Sequence, residues 1–164
     1  FIQAQYNLKN QGKENIIENL FISNNYEFYL ENNMGEVVSL DDFLGKVLYI
    51  DIWASWCGPC RKLFPFSTSL KKKFKKKQLK KIDFIYVSID NDYGKWKKSI
   101  EQLKIDGKNF ISPADKNNGI GQYFNVSSIP RYIIIDKSGK VVQENAKRPN
   151  DDTLFNDLLE LIND

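Results

Sequence analysis

From Tyr26 onward the chain sets short apolar blocks between polar turns, and the spacing inside each block predicts its element. Tyr26-Glu27-Phe28-Tyr29-Leu30 and Glu36-Val37-Val38-Ser39-Leu40 read as two strands joined through Asn32-Asn33-Met34-Gly35, an expected hairpin. Asp41 to Gly45 suits one helical turn closed by glycine. Lys46 to Trp53 is almost continuously apolar and rich in β-branched and aromatic residues, the pattern of a strand covered on both faces. A helix is expected from about Cys57, with Leu63, Phe66, Leu70 and Phe74 as its buried stripe. Pro65 should bend it, because a mid-helix proline removes one main-chain hydrogen bond.

Further on, Ile82 to Ile89 predicts a second buried strand, and Tyr93 to Leu103 a helix with Trp96, Ile100 and Leu103 on one side. Asn117 to Phe124 suits a short helix, and Arg131 to Asp136 a third buried strand. Lys137-Ser138-Gly139 turns the chain into Lys140-Val141-Val142-Gln143, an expected antiparallel hairpin. The last helix should open at Asn150 as N-cap, with Asp151 and Asp152 in its first turn and Leu154, Leu158, Leu161 and Ile162 on its buried face. Residues 1–22 are polar apart from Ile16, Ile17, Leu20 and Phe21, whose spacing fits a short packing helix. They are expected to be an extension, or the remnant of a preceding segment, ahead of one domain over residues 23–164.

Composition supports a self-sufficient core. With 164 residues, 41% of them hydrophobic and 13% aromatic, the chain is expected to bury roughly 70% of its unfolded surface. Apolar stretches such as Val47-Leu48-Tyr49-Ile50 are far too short to span a bilayer. The first residue is Phe1 and no secretory leader is visible, which suggests a processed form or a fragment. Eight lysines and no acid lie between Lys71 and Lys81, so a net charge of +3 leaves the rest of the chain at −5. Those lysines flank the stripe positions Leu70 and Phe74, as a solvated helix face should, and no nucleic-acid partner is expected.

The chemistry is bounded by two cysteines and an absence of histidine. A zinc centre needs about four ligands, so no metal is expected, and histidine-dependent acid–base or triad chemistry is excluded. Cys57 and Cys60 sit where a strand gives way to a helix. The first helical turn has unpaired N–H groups and the positive end of the helix dipole, which stabilise a thiolate there. Pro59 is tolerated so early in a helix, because its missing N–H would have been unpaired. Cys57 is therefore the expected attacking sulfur, and Cys60, one turn on and more covered, the resolving one. Asp51 is the only acid in its strand. Buried, it would be a proton acceptor near neutral pH for Cys60; at a strand edge it would simply face solvent. Ile129-Pro130 opens an apolar strand, either as an ordinary trans proline or as a cis bond that exposes the Ile129 main chain for pairing with a substrate.

Together, Leu48-Tyr49-Ile50-Asp51-Ile52-Trp53-Ala54-Ser55-Trp56-Cys57-Gly58-Pro59-Cys60 and Ser128-Ile129-Pro130 resemble the active-site strand, motif and cis-proline loop of the thioredoxin superfamily. The resemblance implies an α/β thioredoxin-like fold: a central mixed β-sheet flanked by helices, with an N-terminal β-hairpin and a helical insertion between Asp90 and Gly119. It places the nucleophile on Cys57, the resolver on Cys60 and the buried acid on Asp51. Trp56, Gly58, Pro59, Ile129, Pro130 and Arg131 become the expected substrate-binding residues. Gly45-Lys46-Val47 and Arg61-Lys62-Leu63-Phe64-Pro65 make the chain most similar to the TlpA/ResA-like branch.

That branch implies an extracytoplasmic thiol–disulfide oxidoreductase with protein dithiol or disulfide substrates and an upstream electron donor. Its only redox group would be the Cys57–Cys60 disulfide, without a cofactor, in a monomer whose membrane tether lies outside this chain. Gly58-Pro59 resembles the reducing end of the fold, which favours a reductase. Two positions depart from the branch: Leu63 stands where many members carry glutamate, and Arg131 follows the proline where threonine is common. The alternative is a non-catalytic binding or chaperone module, but such modules often lose one cysteine. The threonine and cysteine pattern of peroxide-reducing relatives is absent from this sequence.

Overall fold

The structure is a computed structural model that describes residues 26, 28–115 and 117–164. The apolar cluster from Ile16 to Phe21, and with it the expected extension over residues 1–22, lies outside the described residues. Strands β1 (Leu30–Asn32) and β2 (Val37–Val38) form the first hairpin, followed by a 3-10 turn over Leu40–Phe43. Then come β3 (Val47–Trp53), α1 (Gly58–Lys72), α2 (Lys76–Leu79), β4 (Ile82–Ser88), α3 (Tyr93–Leu103) and β5 (Lys108–Ile111). The chain ends with α4 (Ile120–Tyr123), β6 (Arg131–Ile135), β7 (Val141–Gln143) and α5 (Leu154–Asn163).

One seven-stranded sheet runs β2-β1-β5-β4-β3-β6-β7. β3 lies parallel to β4, and β4 parallel to β5, while β6, β7, β1 and β2 pair antiparallel to their neighbours. The apolar run of β3 is explained by its place: every residue from Val47 to Trp53 is buried, with helices over both faces. Its side chains alternate between two cores. Val47, Tyr49 and Trp53 join Cys60, Phe64, Leu70, Trp96 and Leu158 beneath α1, α3 and α5. Leu48, Ile50 and Ile52 join Phe28, Leu40, Ile120 and Phe124 on the opposite face. Gly45 ends the 3-10 turn at φ +92°, a conformation that glycine adopts without a Cβ clash.

The structure corrects four details. The insertion between Asp90 and Gly119 carries a strand, β5, as well as helix α3, and β5 bridges the N-terminal hairpin to β4. On α1 it is Phe64 that is buried, whereas Phe66 is 48% exposed. Cys60, Leu63, Phe64, Ser67 and Leu70 follow the i, i+3, i+4, i+7 spacing of one helical face, and Phe66 falls off it. The lysine run ends α1 and then forms the separate short helix α2, with Phe74 buried between them. Thr153, not Asn150, caps α5. The Asp151 carboxylate accepts from both the N–H and the hydroxyl of Thr153, a local turn that delays the start of the helix.

Candidate active site

Cys57 is the N-cap of α1 in extended geometry (φ −85°, ψ 99°), and its sulfur accepts the Cys60 N–H at 3.2 Å. Pro59 occupies the first turn, where no helical partner for an N–H is lost. Helical spacing brings the Cα atoms of Cys57 and Cys60 to 5.3 Å, and the two sulfurs form a disulfide. Both cysteines are buried as residues, Cys57 at 4% exposure and Cys60 at 0%. The surface over them is supplied by Trp56, 68% exposed, and by the exposed Gly58 and Pro59. Leu63 lies buried in the same core as the two cysteines, so an apolar side chain lines this side of the site.

Asp51 sits in the middle of β3 at 2% exposure, which removes the solvent-facing alternative. Alternation along the strand points its carboxyl to the side of Tyr49, Trp53 and Cys60. Register places it directly between Tyr86 on β4 and Tyr132 on β6. Neither carboxyl oxygen has a hydrogen-bond partner, and the Tyr132 hydroxyl, the polar group facing it, is also without one. Loss of hydration pushes the Asp51 pKa up to about 8, while the Tyr132 side chain acts in the opposite direction. The buried phenols of Tyr132 and Tyr86 are pushed upward too, first by burial and then by Asp51.

The Ile129–Pro130 peptide bond is cis. β6 begins at the next residue, with Arg131 opposite Ile52. Continuing that register sets Pro130 beside Trp53, where the chain leaves the sheet for the cysteines. Ser127 and Ser128 are exposed, and Ile129 and Pro130 half-buried, so this loop borders solvent. The Arg131 Nε donates to the Glu144 carbonyl at 2.6 Å, which ties the guanidinium towards the end of β7.

A residue the sequence reading passed over also belongs here. Asp90, just beyond β4, is 2% exposed and accepts from the Ser55 N–H at 2.8 Å and the Ser55 hydroxyl at 2.6 Å. Its partner lies 35 positions away in sequence, and the only local trace is an acid at the end of an apolar strand. Among the described residues no group of three or more histidine, cysteine or acidic side chains is placed to hold a metal ion.

The chain is similar to known proteins. The chain is 31% identical to the thiol-disulfide oxidoreductase ResA of Bacillus subtilis, over 84% of this chain and 72% of that protein. It is 31% identical to ResA of Bacillus cereus, over 71% of this chain and 64% of the relative, so it spans less than two thirds of that protein. The crystal structure of the thioredoxin domain of a thiol-disulfide oxidoreductase from Bacteroides vulgatus superposes with a TM-score of 0.70 at 27% identity, covering 82% of this chain and 92% of that one. The thioredoxin-like family itself matches residues 45–141, the stretch that runs from the start of β3 through both cysteines, Asp51, Asp90 and Pro130. On these grounds the chain belongs to the thioredoxin-like family, among its ResA-like thiol–disulfide oxidoreductases.

Proposed function

We propose that this domain reduces protein disulfides through a Cys57/Cys60 dithiol cycle. The observation that carries the reading is a cysteine pair at the N-terminus of α1 with an unpartnered buried carboxyl on the strand beneath it. The Cys57 thiolate, stabilised by the Cys60 N–H and the helix terminus, attacks one sulfur of a substrate disulfide. A mixed disulfide forms, and the first substrate sulfur leaves as a thiolate that takes a proton from solvent. Cys60 then loses its proton to Asp51 through water, attacks the Cys57 sulfur and releases the second substrate thiol. Two electrons have passed to the substrate, and an upstream dithiol restores the Cys57–Cys60 pair. A carboxyl with a pKa near 8 is matched to that proton transfer at neutral pH.

Trp56, Gly58 and Pro59 form one wall of the substrate surface, and Ile129, Pro130 and Arg131 the other, with the Ile129 main chain available to an extended segment. The chain works outside the cytoplasm as a monomer. Two features support this: similarity to ResA, and edge strands β2 and β7 of only two and three residues, too short to template further pairing. Among the described residues no helix is long and apolar enough to cross a membrane, so a tether would lie elsewhere. Reduction of insulin disulfides by dithiothreitol tests the activity. Acceleration by the chain is expected; no acceleration would favour a binding module. A reduction potential near that of thioredoxin, about −270 mV, is expected, and a value above about −180 mV would overturn the reducing direction.

A further inference from the structure

Four short hydrogen bonds converge on Asp90. One carboxylate oxygen accepts the Ser55 hydroxyl at 2.6 Å, while the other accepts the Ser55 N–H at 2.8 Å and the Ser88 hydroxyl at 2.6 Å. The Asp90 N–H in turn donates to the Ser88 hydroxyl at 2.9 Å. Ser88 is fully buried and Ser55 nearly so. The segment is braced from the far side, since the Ser88 and Ile89 carbonyls accept from Ser112 and Ala114 in the connection after β5. No basic side chain forms an ion pair with Asp90 among the described residues, so three neutral donors alone satisfy its carboxylate. A buried acid is costly unless donors surround it, and here two of the three donors belong to Ser55, in the loop that carries Cys57, while the third is Ser88 at the end of β4.

That loop has few other supports. Cys57 N–H closes a turn on the Ala54 carbonyl at 3.0 Å, Ile89 N–H meets the Trp53 carbonyl at 2.9 Å, and Arg61 reaches the Ser55 carbonyl at 3.3 Å. Ser55 is two residues from Cys57, about 7 Å of chain at most. Trp56, between them, is largely solvent-exposed and contributes little anchorage.

We propose that Asp90 is a positioning residue for the redox reaction: by gripping both the main chain and the side chain of Ser55, it fixes where Cys57 presents its sulfur and keeps a negative charge close behind it. This deepens the dithiol cycle proposed above and rests on it. Two effects follow and are separable. Loosening the grip lowers the rate at which a fully formed Cys57 thiolate attacks a disulfide. Removing the charge makes that thiolate easier to form, which stabilises the reduced pair and raises the reduction potential.

The test compares Asp90→Asn, Ser55→Ala and the double variant with the parent chain, each first checked for a native thermal transition. Readouts are the Cys57 thiol pKa, the plateau rate of attack on a small disulfide at high pH, and the potential in a glutathione buffer. The plateau rate is expected to fall about fivefold in each single variant and no further in the double. The Cys57 pKa is expected to fall in Asp90→Asn but not in Ser55→Ala. The Asp90→Asn redox equilibrium should shift about tenfold, or about 30 mV upward. Multiplied losses in the double variant, or an unchanged Cys57 pKa in Asp90→Asn, would overturn the proposal. If Asp90→Asn does not fold, an undiminished plateau rate in Ser55→Ala overturns it alone. Insulin reduction by the parent chain reports separately on the cycle itself.

Discussion

Replacing Asp51 by asparagine keeps the size of the side chain and removes its ionisation, so it isolates what burial of that carboxyl costs. The folded pKa is about 8, against an ordinary value of 3.8. Below about pH 4 the carboxyl is protonated in folded and unfolded chains alike, and it carries no pH-dependent penalty. Between about pH 4 and pH 8 the unfolded chain releases the proton while the folded chain retains it, so stability falls as pH rises; above about pH 8 the penalty is constant. At pH 7 the gap spans about three pH units, or about 4 kcal/mol at 1.36 kcal/mol per unit. Asp51→Asn should therefore gain on the parent by about 2–4 kcal/mol between pH 4 and pH 7, relaxation around the carboxyl accounting for the lower figure. Urea unfolding of both oxidised proteins at pH 4, 5.5, 7 and 8.5, followed by tryptophan fluorescence, measures it. Other acids titrate identically in the two proteins and cancel. A stability difference that stays constant across this range, or moves against the variant as pH rises, would refute the assignment of Asp51 as a buried acid with a raised pKa.

Other outcomes follow from packing and charge. Phe64 packs edge-on against Trp53 and Tyr86 at 5.0 and 5.7 Å, so Phe64→Ala should cost about 3–5 kcal/mol, while Phe66→Ser should stay within about 0.5 kcal/mol by urea unfolding. Gly107 has φ +153°, and a Cβ there would come within 2.6 Å of the Tyr86 ring and 3.0 Å of the Phe84 carbonyl, so Gly107→Ala should cost about 2 kcal/mol and lower the melting temperature. Asp83 pairs with Lys46 at 3.3 Å and Lys108 at 2.9 Å, with both lysines partly exposed, so Asp83→Asn should cost about 1 kcal/mol at low salt and less in 1 M NaCl.

Much of the fold was legible because its central strands write their burial into composition. β3 and β4 are buried along their whole length, and their largely apolar runs, broken only by Asp51, Asp83 and Ser88, admit little else. The Cys57–Cys60 pair was equally visible, since spacing and a strand-to-helix junction define it locally. β5 was hidden because Lys108-Asn109-Phe110-Ile111 has only two apolar residues, and its strand character comes from β4 and β1, which are distant in sequence. The Phe64 and Phe66 exchange shows how two neighbouring aromatics leave a helix phase ambiguous until the sheet selects a face. The Asp51 alternatives needed the two flanking strands to separate them. Asp90 could not be assigned at all from one sequence, because a carboxylate reveals its role only through the donors it meets, and Ser55 lies 35 residues away.

The central claim is that the two cysteines have different tasks, and mixed-disulfide trapping tests it most directly. Chains carrying Cys60→Ala or Cys57→Ala are incubated with oxidised protein substrate, and the adducts are separated without reductant. Cys60→Ala should accumulate a covalent complex through Cys57, because the resolving thiol is gone, and Cys57→Ala should accumulate none. Equal trapping by both variants, or trapping by Cys57→Ala alone, would contradict the assignment of Cys57 as nucleophile and Cys60 as resolver.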